Sequence, residues 1–246
     1  MNIALNISYD GTQYNGWQIQ PNAKTVQEEL ECALKKVFGK EVKTTASGRT
    51  DAKVSAICQV VNFECETNIP ADKIMYLLND NLPLDIRIIK SYLVCDDFNA
   101  RYSAKKKTYE YYFYFGENEN AFFSKTNAFF KGNLNIENMQ KACEYLVGEH
   151  DFTSFCASNT EVVSKIRTIY SAKIVEIDEL NNIYKLQISG NGFLYNMVRI
   201  IMGTLINVGY GKYAPEYIGK IIELKDRKYA GPTVQALGLV LKNVEY

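Results

Sequence analysis

NIALNISYDGTQYNGWQIQPNAKTVQEELECALKKVFGK (Asn2–Lys40) carries two hydrophobic periods in succession. Ile3, Leu5, Ile7 and Tyr9 alternate with small or polar residues, the period-2 pattern of a half-buried strand. After the loop YDGTQYNGW, Thr25 and Glu28 stand in capping-box spacing. Val26, Leu30, Leu34 and Val37 then form the apolar stripe of a helix that Gly39 ends. Beyond it, Ser55–Cys65 reads as a strand, Pro70 and Ala71 open a second helix carrying Ile74, Leu77 and Leu78, and Asp85–Val94 reads as a third strand. The first half is therefore strand, helix, strand, helix, strand.

The second half repeats the idea. Lys107–Phe115 is an aromatic-rich strand, and Asn135 caps a helix with Met139, Cys143 and Leu146 inward that Gly148 ends. Two strands follow near Ile169–Ile177 and Ile183–Ser189. Phe193–Val208 is apolar nearly all round, as in a buried helix; Pro215 begins a further helix, and Leu237–Val244 is a closing strand. This pattern predicts an α+β protein of two similar α/β halves, residues 1–104 and 105–246.

Composition narrows the functions. With 246 residues and 47% hydrophobic content, the chain is long enough to bury a substantial core. No run of eighteen apolar residues is present and MNIALNISYDGT lacks a basic leader, so the expectation is a cytoplasmic protein without a membrane span. The six cysteines form no C-x-x-C pair and there is one histidine, so no metal site is expected and the cysteines read as reduced core residues. Net charge is zero, which argues against a nonspecific nucleic-acid coat. Yet Arg101, Lys105, Lys106 and Lys107 crowd RYSAKKK, and no acid occurs from Leu180 through Pro215. Such local positive charge suits one anion-rich partner or is simply a solvated face.

Three segments carry candidate chemistry. In SGRTDAKVSA (Ser47–Ala56), Arg49 and Asp51 stand two apart just before a strand, as a salt-bridged turn or as side chains offered to a cleft. On the aromatic strand, Tyr109, Tyr111 and Phe113 share one face, for a packed core or for stacking on an unpaired base. Arg199 lies inside an otherwise apolar helix and needs an anionic partner there, unless it snorkels to solvent. His150 is a lone histidine with no Cys or Ser partner in view, and Asp51 is the only acid in its motif, which argues against a two-carboxylate glycosidase.

Taken together, three blocks resemble the A-type tRNA pseudouridine synthase family: YDGTQYNGWQIQPNAKTVQEELECAL with GRTDAKVSAICQVVNF; FNARYSAKKKTYEY with GEHDFTSF; and GNGFLYNMVRIIMGTLINVG with AGPTVQALGLVL. They stand in the family's order and cover almost the whole chain. The resemblance implies ferredoxin/RRM-like halves with mainly antiparallel sheets forming a central cleft. The first half then carries the catalytic aspartate loop, and the second the tyrosine strand and arginine helix. It implies isomerisation of uridine to pseudouridine in the anticodon stem-loop of tRNA, on its 3′ side at positions 38–40, by a cytoplasmic homodimer without cofactor. It matches Asp51 to the catalytic aspartate, as nucleophile or as base at the ribose. Arg49 matches the arginine that helps flip the target nucleotide, Tyr109 the tyrosine at the target base, and Arg199 the partner of the aspartate. Arg101 and Lys107 are the further substrate-binding candidates.

The chain departs from the family pattern where G-R-T-D-A-G-V-H-A has Lys53 and Ser55, where F-H-A-R has Asn99, and where F-L-x-H-M has Asn196. Lys53 costs backbone freedom if that position needs positive φ, and it adds charge beside the Asp51 loop. These departures keep two other readings open: a synthase with a shifted RNA target, and a non-catalytic tRNA-binding or folding protein.

Overall fold

The computed structural model describes residues 1–157 and 162–246. In chain order the elements are β1 (Asn2–Tyr9), α1 (Val26–Phe38), β2 (Thr45–Ala46), β3 (Ser55–Glu64), α2 (Ile74–Asn79), β4 (Ile86–Val94), β5 (Lys106–Gly116), β6 (Ala128–Lys131), α3 (Ile136–Glu144), β7 (Gly148–Asp151), β8 (Ile166–Asp178), β9 (Ile183–Gly190), α4 (Met197–Gly209), α5 (Tyr217–Leu224) and β10 (Leu239–Glu245). The chain divides into two compact units, Met1–Lys105 with Val240–Tyr246, and Lys106–Leu239. Residues 240–246, which the sequence pattern leaves with the second half, thus pack with the first. No helix among the described residues is long and apolar enough to cross a membrane.

In the first unit the strand order is β4–β1–β3–β10. β1 runs antiparallel to β3 from Asn2 opposite Glu64, and antiparallel to β4 from Asn2 opposite Val94. β10 joins β3 in parallel, Val240 opposite Ser55. The alternation that opens the chain decides this arrangement. Ile3, Leu5 and Ile7 are all fully buried, as are Val26, Leu30 and Leu34 of α1 and Ile74 and Leu78 of α2. α1 has the ends its sequence prescribes. The Thr25 side chain accepts from the Glu28 amide, and Gly39 sits at φ 71° with its N–H on Lys35 O.

The second unit orders its strands β6–β5–β9–β8–β7. β5 and β9 are antiparallel with Tyr109 opposite Ile188, β8 and β9 are antiparallel, and the short β6 lies parallel to β5. α3 packs on β8 and α4, and α4 also meets β5. On one face of β5, Glu110 is 1% exposed and takes hydrogen bonds from Lys185 (2.8 Å), Gln187 (2.9 Å) and Tyr112 (2.6 Å). Burial alone raises a carboxyl pKa, but these donors outweigh it and hold Glu110 below the usual carboxylate range. Tyr109, Tyr111 and Phe113 take the other face, as alternation requires. The architecture is the expected α+β one, with two mainly antiparallel halves.

Several boundaries differ from the sequence reading. α3 stops at Glu144, and Gly148 at φ 115° opens β7 instead of ending the helix. α4 starts at Met197, because Asn196 at φ 60° interrupts any helix begun at Phe193. β2, β6 and β7 have two to four residues, too few to show alternation. Of the cysteines, Cys65, Cys143 and Cys156 are buried as expected, whereas Cys32 and Cys95 are exposed.

Candidate active site

The Asp51 turn is braced from beneath by the loop that follows β1. Thr50 O accepts the Trp17 amide at 3.0 Å, and Tyr14 O accepts the Lys53 amide at 3.1 Å. Across the turn, Asp51 O accepts the Val54 amide at 3.1 Å. The Tyr9 hydroxyl and Thr50 Oγ1 are 2.8 Å apart in the core. Burial pushes the Tyr9 phenol well above its usual range, despite opposing hydrogen bonds to Thr50 and Gln59, so this contact stays neutral. Gln59 donates to Gly48 O at 2.8 Å and accepts from the Ser47 hydroxyl, tying down the start of the motif. Trp17 and Tyr14 are 2% exposed, so the brace is itself core.

Two positions show why the loop has this sequence. Gly16 adopts φ +91°, and a Cβ there would stand 2.6 Å from Thr50 O. Ser55, where the family pattern has histidine, accepts the Gly11 amide on its Oγ at 3.0 Å. The substitution is thus absorbed into the brace. On the turn itself Asp51 is half-buried, while Arg49 and Lys53 are exposed. The R-x-D turn before β3 thus holds Asp51 half-buried, with Arg49 exposed two residues before it. Arg101 belongs to the same unit but lies on another loop, exposed, after β4.

In the second unit, β5 presents Lys107 and Tyr109, both half-buried, at alternate positions of one face. The Tyr109 ring meets Phe193 edge-on, with centroids 5.1 Å apart. Tyr111 on the same face donates its hydroxyl to Gln235 O at 2.8 Å. Burial pushes its phenol above the usual range, and the nearby Arg199 guanidinium opposes that rise. Arg199 reaches the same segment, one residue before the carbonyl that Tyr111 uses. Its guanidinium is aimed by two acceptors: Nε donates to Val234 O at 2.8 Å and Nη1 to Asn196 Oδ1 at 2.7 Å. The fork of a guanidinium has a fixed shape, so two such bonds set both position and rotation.

The single histidine takes no part in this unit's candidate site: His150 Nε2 contacts Val147 O at 3.0 Å and its ring meets Phe152 edge-on. Sequence reasoning missed the segment Val234–Gln235, because its contribution comes from backbone carbonyls that any residue would provide. It also missed Tyr14 and Trp17, where two large aromatics beside glycine in a polar loop were the available signal.

A family profile described as tRNA pseudouridine synthase matches residues 6–103 and 142–246. The tRNA pseudouridine synthase A of Caldicellulosiruptor saccharolyticus is 47% identical over 245 residues, covering 100% of this chain and 99% of that one. That of Bacillus subtilis is 43% identical over 248 residues, again covering 100% and 99%. Among solved structures, an archaeal box H/ACA sRNP complex aligns with 96% of this chain and 46% of that one at 12% identity and a TM-score of 0.37, a distant likeness. With a braced aspartate in G-R-T-D-A and full-length identity of this order, the chain belongs to the tRNA pseudouridine synthase family.

Proposed function

We propose that this protein isomerises uridine to pseudouridine in the anticodon stem-loop of tRNA, on its 3′ side, with Asp51 as the reactive carboxylate. The observation that supports this most is the Asp51 turn: a half-buried aspartate on a backbone held by Trp17, Tyr14 and Tyr9. Pre-set geometry of this kind removes an orientational cost from the reaction.

The reaction breaks the bond between N1 of the base and C1′ of the ribose. The base turns and C5 bonds to C1′, then C5 loses its proton to solvent and N1 gains one. Atoms and electrons balance without any oxidant, so the chain's own side chains suffice. The target base leaves the stack at a cost of about a few kcal/mol. Insertion of the exposed Arg49 and stacking on Tyr109 offset that cost, and Arg101 and Lys107 contribute charge toward phosphates. Arg199, aimed by Asn196 and Val234, serves as the cationic partner that keeps Asp51 ionised against the desolvation of the closed complex. In this reading the protein works in the cytoplasm as a homodimer.

The test is tritium release from C5-labelled uridine in an unmodified tRNA transcript. Release by the wild-type protein at 3′-side positions of the anticodon stem-loop is the expected result. Release at other positions would redirect the substrate assignment, and tight binding without release from any tRNA would sink the catalytic claim.

A further inference from the structure

The connection after β4 is fastened more heavily than its length requires. Asn2 Nδ2 donates to Cys95 O at 3.1 Å and to Phe98 O at 2.9 Å. Asn62 Oδ1 accepts the Ala100 amide at 2.9 Å, and its Nδ2 donates to Asn2 Oδ1 at 3.0 Å. Asn99 Oδ1 accepts the Arg101 and Tyr102 amides at 2.9 and 3.1 Å, and the Tyr246 hydroxyl donates to Ala100 O at 2.8 Å. Asn2 and Asn62 are only 3% and 8% exposed. Burying two amides is tolerable only because their polar atoms are satisfied, and a satisfied buried network is rigid.

What this rigid turn displays is an apolar ring in open solvent. Tyr102 is 78% exposed, with the Arg101 guanidinium 5.3 Å from its ring centre. Beside it runs a groove of about 440 Å³ lined by Tyr102, Phe98, Tyr246, Ser103, Lys105 and Asp97. Phe98 and Tyr246 pack against each other at 4.8 Å between centroids. An unpaired nucleotide matches each part of this lining. Its base offers a flat π-face to the rings, its edge offers N–H groups to the Asp97 carboxylate, and its phosphate suits Arg101 and Lys105. The turn backbone that carries the ring is already fixed, so its ordering adds little to the entropy cost when a base stacks there.

We propose that this groove is a subsite for one unpaired nucleotide of the substrate RNA, its base stacked on Tyr102. The inference rests on tRNA being the substrate, and adds a contact on a loop separate from the Asp51 turn.

The test compares Tyr102→Ala and Tyr102→Phe in the full chain, using filter binding to an unmodified tRNA transcript alongside tritium release. Because Tyr102 is exposed, both variants should melt like the wild type. The alanine variant should bind about tenfold more weakly, and the phenylalanine variant within about twofold of the wild type. An abasic nucleotide at one unpaired position should abolish the difference between wild type and alanine variant. Unchanged affinity in Tyr102→Ala, with tritium release intact, would overturn the subsite and leave the synthase reading standing. So would a loss that every abasic position leaves equally large, since the ring would then contact no particular base. A wild-type protein that neither binds nor turns over tRNA would overturn both.

Discussion

Lys53 and Asn196 adopt the same rare backbone state near the two charges of the proposed reaction, and they use it differently. Lys53 sits at φ 66° two residues after Asp51, and Asn196 at φ 60° three residues before Arg199. The left-handed region costs a residue with a Cβ roughly 1 kcal/mol, and asparagine tolerates it better than most. At Lys53 the conformation lets the chain turn so that its amide reaches Tyr14 O, while the side chain stays exposed. Any residue, and glycine best of all, would make that turn. At Asn196 the side chain makes no capping bond to α4 and turns instead to Arg199 at 2.7 Å. One left-handed residue is a tolerated substitution; the other joins turn and ligand in a single residue. Both stand where the family pattern has a different residue, and only their surroundings tell them apart.

Substitutions at and around the two charges can break or sharpen this contrast. The largest effect is expected from Asp51→Asn, which should lower tritium release by at least about a thousandfold while tRNA binding persists. Substantial residual release would mean that the first turn does not carry the reactive group. Next comes Gly16→Ala. Its Cβ cannot occupy a space 2.6 Å from Thr50 O, so the Asp51 turn must shift, and kcat should fall by about a hundredfold. Wild-type kcat there would show that the brace is dispensable.

Asn196→Gly separates backbone from side chain, since glycine keeps φ 60° at no cost and removes only the acceptor. It should lower kcat about tenfold with little change in KM, and Asn196→Asp should restore most of it by returning an oxygen to Arg199. A glycine variant as fast as the wild type would reduce Asn196 to the status of Lys53. The smallest effect belongs to Lys53→Gly. Relief of the left-handed strain should stabilise the protein by about 1 kcal/mol, read as a rise of roughly 2–4 °C in Tm. A fall in Tm would mean that the Lys53 side chain stabilises the turn.

How much of this was legible depended on where the signal resides. β1 and α1 were readable almost to the residue, since alternation and a capping box are local patterns and the core accepts them unchanged. β7 was not, because GEHD gains its strand character only from Ile166–Ile169 across the ladder. The start of α4 was misplaced for a related reason: apolar content continues back through Phe193, whereas the backbone reverses at Asn196. Asp51, Tyr109 and Arg199 stood out through the resemblance. The groove beside Tyr102 did not, because it is assembled from the connection after β4 and the last residue, Tyr246.

By itself the sequence determined the two-part α+β plan, the aspartate turn, the arginine inside an apolar helix and the family to which they point. Periodicity, capping and motif spacing are properties of neighbouring residues, so they survive without coordinates. The tertiary structure alone decided which groups hold those side chains in place. Thr50 O, Tyr14 O and Val234 O are backbone atoms with no signature in sequence, and they meet their donors only when segments distant along the chain pack together.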